Sequence, residues 1–256
     1  MFRLVWLHVF NLFHTVLFCL WGILVSLFDK TGKKVHFYAA VPWAKLILWS
    51  CGIKVTVMGN ENIDPKLSRI YMTNHQSYFD IFALLAYVPV HFKFLLKKEL
   101  MRIPLFGLAM RKAGYIGIDR DDPKEAILSI RKAGEKLRGG ASLVVFPEGT
   151  RSVDGRLLPF KRGAFNLAIR SGRDIVPLAI INSYLIVPKG RLKINRGGFR
   201  LAIGKPVRTE GYTKKDILKL MDKVSESIKG LLEKNAGDEN IVGQQQTQNG
   251  VFQRGG

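Results

Sequence analysis

The chain has 256 residues, with 40 Lys plus Arg against 20 Asp plus Glu, a formal charge of +20, and a hydrophobic content of 47%. An acidic, solvating disordered chain is excluded, and enough apolar material is present for the core of one ordinary or slightly large domain. Cys19 and Cys51, the two cysteines, lie in apolar surroundings without metal-ligand spacing, which argues against a disulfide-stapled secreted fold.

Residues 4–28 contain no Asp, Glu, Lys or Arg. At about 1.5 Å per helical residue they would reach roughly 38 Å, more than the ~30 Å of a hydrocarbon core. All four tryptophans, Trp6, Trp21, Trp43 and Trp49, fall in the first 51 residues, where an amphipathic ring suits the headgroup boundary. A cleaved signal peptide would need a shorter apolar run followed by small residues, and here the run continues to Phe28 before Asp29 and Lys30. On a helix, His8, Asn11, Thr15, Gly22 and Ser26 share one side, a polar stripe that predicts packing or partial immersion. The second apolar block, 36–50, carries Pro42 and Lys45 and is too short to span. Lys30, Lys33 and Lys34 separate the blocks, so residues 1–51 are read as a two-helix hairpin dipped into one leaflet, with a single span as the rival. Either arrangement puts these lysines and the following domain on the cytoplasmic face of the cell membrane.

Residues 1–51 hold five bases and one acid, which leaves +16 for the remainder. Anionic phospholipid, an anionic substrate or nucleic acid would each account for that excess. Nucleic acid is the weakest of the three, because 11 of the 27 aromatics are spent on the hydrophobic N-terminus rather than interleaved with the basic clusters.

From Cys51 onward, short β-like runs alternate with helical stretches. Strands are predicted over 53–57, 69–73, 93–97, 114–118, 142–146, 175–180 and 199–203, and helices over 78–87, 103–112, 123–138 and 161–171. The pattern implies an α/β fold, a mixed sheet of about seven strands flanked by helices, preceded by the membrane-associated two-helix segment. A last amphipathic helix is expected over 213–234, so the domain runs from 52 to 235, and residues 236–256, rich in Gln and Gly, read as a disordered tail.

Two constellations stand at strand exits. In Asn74-His75-Gln76-Ser77-Tyr78-Phe79-Asp80, His75 can serve as a general base with Asp80 holding its tautomer. The plainer reading is that Ser77-x-x-Asp80 is a capping box, with Asp80 serving a helical amide. In Phe146-Pro147-Glu148-Gly149-Thr150-Arg151, an acid, a hydroxyl and a guanidinium crowd a turn, where Arg suits phosphate, or an ordinary polar turn would hold a Glu–Arg ion pair. Lys97-Lys98, Asp119-Arg120-Asp121-Asp122 and Lys161-Arg162 are the remaining polar clusters that could meet a phosphate, or simply solvated surface.

These residues resemble a known family. Asn74 to Asp80, then Gly114-Tyr115-Ile116-Gly117-Ile118-Asp119-Arg120, then Phe146 to Arg151, then Val176-Pro177-Leu178-Ala179 are similar, in order, to the four blocks of the glycerolipid acyltransferases, and most closely to those acting on 1-acylglycerol 3-phosphate. Gly117 departs from the pattern, which usually has phenylalanine there. The resemblance implies an enzyme that moves an acyl group from acyl-CoA or acyl carrier protein to the sn-2 hydroxyl of lysophosphatidic acid, giving phosphatidic acid. It implies His75 and Asp80 as the catalytic pair, Arg120, Arg151 and Lys98 as the phosphate clamp, and Glu148, Gly149 and Thr150 as the glycerol site, with no cofactor or metal required.

Three rivals remain at this level. One keeps the chemistry but takes glycerol 3-phosphate or another lysophospholipid as acceptor. Another is a hydrolase using His75 and Asp80 as metal ligands, although no second His lies at ligand spacing. A third is a non-catalytic protein that binds anionic lipid through its basic domain and apolar anchor.

Overall fold

The structure, a computed structural model, describes residues 2–119, 122–187 and 193–235. Helix α1 (Phe2–Ser26) turns back through α2 (Lys33–Val35) and a π-helical turn, His36–Ala40, into α3 (Val41–Cys51). The polar stripe of α1 is the seam of this hairpin. Asn11 Oδ1 accepts from Ser50 Oγ at 2.7 Å, Thr15 Oγ1 accepts from Trp43 Nε1 at 3.0 Å, and Gly22 faces Ala39. Opposite the seam, Val9, Phe13, Val16, Leu20 and Leu24 are exposed. Helix α1 is long and apolar enough to cross a membrane.

The remaining elements are β1 (Ile53–Met58), β2 (Ile70–Thr73), α4 (Phe79–Tyr87), β3 (Phe92–Lys97), α5 (Phe106–Lys112), β4 (Ile116–Ile118), α6 (Pro123–Arg138), β5 (Ser142–Val145), α7 (Arg162–Ser171), β6 (Ile175–Ile181), β7 (Gly197–Ile203) and α8 (Ile217–Lys234). One seven-stranded sheet results, in the order β1-β7-β6-β2-β5-β3-β4, and β6–β7 is its antiparallel pair. It is the mixed, helix-flanked sheet expected from the alternation of runs. Strand β6 is buried at all seven positions, as a strand covered on both faces must be.

Chain direction decides which face each helix covers. Helix α4 carries the chain from β2 past β5 to β3, whereas α6 brings it back from β4 to β5 and α7 carries it on to β6. Right-handed crossovers running in opposite directions must lie on opposite faces. Accordingly Ala44, Ile47, Ala83 and Leu84 of α3 and α4 build one core layer, and Ala133, Leu137, Phe165, Leu220 and Val224 of α6, α7 and α8 build the other. Neighbouring β2 and β5 therefore lead into helices on different faces, which opens a crevice beyond their C-terminal ends.

Several boundaries differ from the sequence pattern, three of them for a plain local reason. Helix α5 starts at Phe106 rather than 103, because Pro104 offers no amide and Leu105 sits at φ 59°, after a 3-10 turn over Lys98–Arg102. Strand β4 is shorter than expected and begins at Ile116, since Gly114 takes φ 78°. A 3-10 turn precedes α8, with Thr213 and Asp216 forming a capping box. The expected tail, 236–256, lies outside the described residues.

Just past β2, Asn74 straps the crevice wall together. Its Nδ2 donates to Ile180 O at 2.8 Å, and its Oδ1 accepts from Ile180 N at 2.7 Å. Asn74→Ala would strand both buried backbone groups at about 1–3 kcal/mol each. A loss of roughly 2 kcal/mol or more in denaturant unfolding is expected.

Candidate active site

Strand register brings the two constellations together. Ile70 pairs with Leu143 and Met72 with Val145, so continuing the parallel register sets His75 beside Glu148 where β2 and β5 end. The backbone closes the match: His75 N donates to Glu148 Oε1 at 3.1 Å, and Ser152 N donates to His75 O at 2.8 Å. Both main-chain groups of His75 are thus held by the turn after β5.

The imidazole is fixed from two sides. Its Nδ1 lies 2.7 Å from Asp80 Oδ2, and its face stacks on Phe146 with centroids 3.9 Å apart at 21°. Phe94 lies parallel to Phe146 at 6.4 Å and meets Tyr115 edge-on at 5.6 Å, so a row of rings backs the histidine. The side chain keeps 15% of its surface accessible, whereas Asp80 has none. With Nδ1 engaged, Nε2 is the ring nitrogen left to meet a hydroxyl.

Asp80 serves the His75 ring and the backbone just ahead of α4, rather than an amide of the first helical turn. Oδ2 also accepts from the Gln76 and Ser77 amides at 2.7 and 2.8 Å, which makes it the carboxylate of the α4 entrance as well as the partner of His75. Oδ1 accepts from Ser183 Oγ. Ser183 was not singled out in the sequence; its only signal is its place just after β6, the strand that carries the fourth block.

Glu148 points inward. It is 3% exposed, its Oε2 is buried without a hydrogen-bond partner, and burial drives its pKa up to about 8, against the pull of the His75 and Leu158 amides. Near neutral pH this acid is largely neutral. Gly149 follows at φ 72°, left-handed backbone that glycine adopts at low cost, and a Cβ there would meet Lys161 Cε at 3.0 Å. Thr150 is exposed, and the Arg151 guanidinium lies 3.8 Å over the Tyr78 ring. Lys161, Arg151 and Tyr78 therefore border the turn beside His75.

The second block lies on β4, three strands from β2 and next to β3. Lys98, just past β3, sits 3.1 Å from Glu125 and 3.6 Å from Asp119. Arg120 lies outside the described residues. Gly117 has a steric reason to be glycine: an added Cβ would come within 3.2 Å of both Lys98 Cα and Met101 Cγ, so the turn after β3 occupies the space a phenylalanine would need.

An apolar cleft of about 270 Å³ opens between α1, α3 and α4, lined among others by Leu12, Trp43, Ile47, Phe79 and Phe82. Phe79 precedes Asp80 in the chain, so the cleft shares a helix with Asp80.

Comparison with known proteins agrees with this geometry. A family model described as Acyltransferase matches residues 54–181. The chain is 36% identical over 208 residues to the chloroplastic 1-acyl-sn-glycerol-3-phosphate acyltransferase of Arabidopsis thaliana, covering 80% of this chain and 57% of that protein. It is 38% identical over 180 residues to the 1-acyl-sn-glycerol-3-phosphate acyltransferase of Saccharomyces cerevisiae, covering 69% and 59%. It thus spans less than two thirds of the length of these curated relatives. The crystal structure of the 1-acyl-sn-glycerophosphate acyltransferase from Thermotoga maritima superposes with a TM-score of 0.80 at 28% identity, over 92% of this chain and 95% of that one. Since the family match takes in both strand-exit constellations and every strand from β2 to β6, the chain belongs to the acyltransferase family.

Proposed function

We propose that this protein transfers a fatty acyl group from an acyl thioester to the sn-2 hydroxyl of lysophosphatidic acid, giving phosphatidic acid. The observation that carries the reading is the His75–Asp80 pair, 2.7 Å apart at a strand exit beside a guanidinium, in a chain whose relatives are named for that acceptor.

In this mechanism Asp80 keeps Nδ1 protonated, and Nε2 takes the proton of the acceptor hydroxyl as its oxygen attacks the thioester carbonyl. The tetrahedral intermediate then collapses, the C–S bond breaks, and the leaving thiolate recovers the proton from the imidazolium. General-base assistance typically supplies about 10²–10⁴ in rate, so positioning and charge stabilisation must provide the rest. Arg151 grips the acceptor's phosphate, with Arg120 and Lys98 completing the clamp. Lys98 is held by Glu125 and Asp119, so joining the clamp means giving up part of that pairing to the phosphate. Gly149 and Thr150 line the glycerol, and Glu148 shapes that site by holding the His75 backbone. The apolar cleft takes acyl chain.

Residues 1–51 are the membrane anchor in this reading, and 52–235 the catalytic domain on the cytoplasmic face. A hairpin whose polar stripe is used internally and whose outer face is apolar fits immersion in one leaflet. The donor is acyl-CoA or acyl carrier protein, either of which the net charge of +20 suits.

His75→Ala is expected to lower kcat/KM by about 10²-fold or more while circular dichroism and vesicle association stay as in the wild type. Substantial turnover by the variant would refute the base assignment. Arg151→Ala is expected to raise KM chiefly for acceptors bearing a phosphate, and equal losses with phosphate-free acceptors would exclude a clamp. For Glu148, a folded pKa near 8 lies above the ordinary value of 4.5, so the stability tied to its proton is full below about pH 4.5 and is lost as pH rises through 8. Glu148→Gln removes that titration, and its melting temperature relative to the wild type is expected to improve between pH 5 and pH 8.5 by thermal unfolding.

A further inference from the structure

The outer surface of residues 100–112, between β3 and β4, takes no part in the chemistry above. Within it Leu100, Ile103 and Leu108 expose 36%, 45% and 38% of their surface. Pro104, Arg102, Arg111 and Lys112 are exposed beside them. Scattered exposed leucines need no explanation, but these fall within one corner of the chain, and residues 100–118 include no Asp or Glu. At the corner itself Leu105 takes φ 59°, a backbone conformation that leucine rarely adopts and that persists only where the surroundings enforce it.

Two observations say what covers this corner. Helix α5 packs directly on α1, and its Phe106 ring lies 6.0 Å from Trp43 of α3, so the corner adjoins the hairpin. The 3-10 turn also leaves the C-terminal end of β3, on the crevice side of the sheet. Apolar side chains flanked by Arg and Lys, with the turn's one acid, Glu99, already paired with Lys97 at 3.4 Å, match the boundary of an anionic bilayer, where stems sink and cationic heads stay among phosphates. An acidic carrier protein would match the charge but has no reason to need continuity with the hairpin.

We propose that residues 100–108 form a second membrane-contact element, seated on the same anionic leaflet as the N-terminal hairpin, so that the rim of the active-site crevice is held against the lipid at two points. The inference rests on the membrane reading of that hairpin.

The test uses the full chain with Ile103→Cys, labelled with a polarity-sensitive fluorophore, and Leu218→Cys on α8 as comparator, since Leu218 is 52% exposed and α8 packs on the opposite face of the sheet. Cys19 and Cys51 are buried, and the unsubstituted chain labelled in parallel gives the background. With vesicles of phosphatidylcholine and phosphatidylglycerol, emission at position 103 is expected to move to the blue and brighten, while position 218 stays unchanged. If the protein sediments with the vesicles but the signal at 103 does not move, the second contact is wrong and the anchor stands. Failure to sediment overturns both readings. A shift at 103 produced by acyl carrier protein and not by vesicles assigns the corner to the donor and overturns the proposal.

Discussion

The arrangement of the site depends on one buried carboxylate. Asp80 gathers the His75 ring, the Gln76 and Ser77 amides and the Ser183 hydroxyl, and so ties the exit of β2, the start of α4 and the exit of β6 to a single point. A buried acceptor with this many donors has little freedom to turn, and neither does the imidazole whose Nδ1 it holds. The brace on the backbone ahead of α4 and the candidate catalytic partner are therefore one carboxylate. A substitution at Asp80 would disturb local folding and chemistry together, which makes His75 the cleaner probe of mechanism.

Around that point the fold supplies the surfaces that hold the ring. Both main-chain groups of His75 are fixed by the turn after β5, and Phe146, Phe94 and Tyr115 back the ring. Glu148 is buried to hold one of those amides, at the cost of an orphaned oxygen and a raised pKa. The cations stand farther out, with Arg151 over Tyr78 and Lys161 against Gly149. A histidine at depth and cations at the rim give the polarity that the proposed acceptor would need, with its hydroxyl reaching inward and its phosphate near water.

Much of this was legible in the sequence. Apolar runs bounded by turn residues located inner strands such as β5 and β6, which are buried at every position, and apolar–polar alternation located the edge strand β1, whose Lys54 and Thr56 are exposed. His75 and Asp80 were recognisable because five positions of chain fix their separation whatever the rest does. Long-range partners were not legible. Ser183 reaches Asp80 across 103 residues, and Lys98 meets Glu125 only because β3 and β4 are neighbours. The polar stripe of α1 was visible, but its partners Trp43 and Ser50 become plain only once the hairpin is closed. Lys93 is a harder case: it looks like a strand-edge residue, yet it is fully buried with Nζ donating to Ala113 O, and burial lowers its pKa to about 7.

The central claim is that Asp80 keeps the His75 proton on Nδ1 and leaves Nε2 to the acceptor. Long-range proton–nitrogen correlation spectra of ¹⁵N-histidine-labelled protein, with His75 assigned by substitution, read that tautomer directly. The expected result is a neutral ring protonated at Nδ1 in the wild type and a mixed or inverted tautomer in Asp80→Asn. A wild-type ring protonated at Nε2, in protein that transfers acyl groups at full rate, would contradict the account.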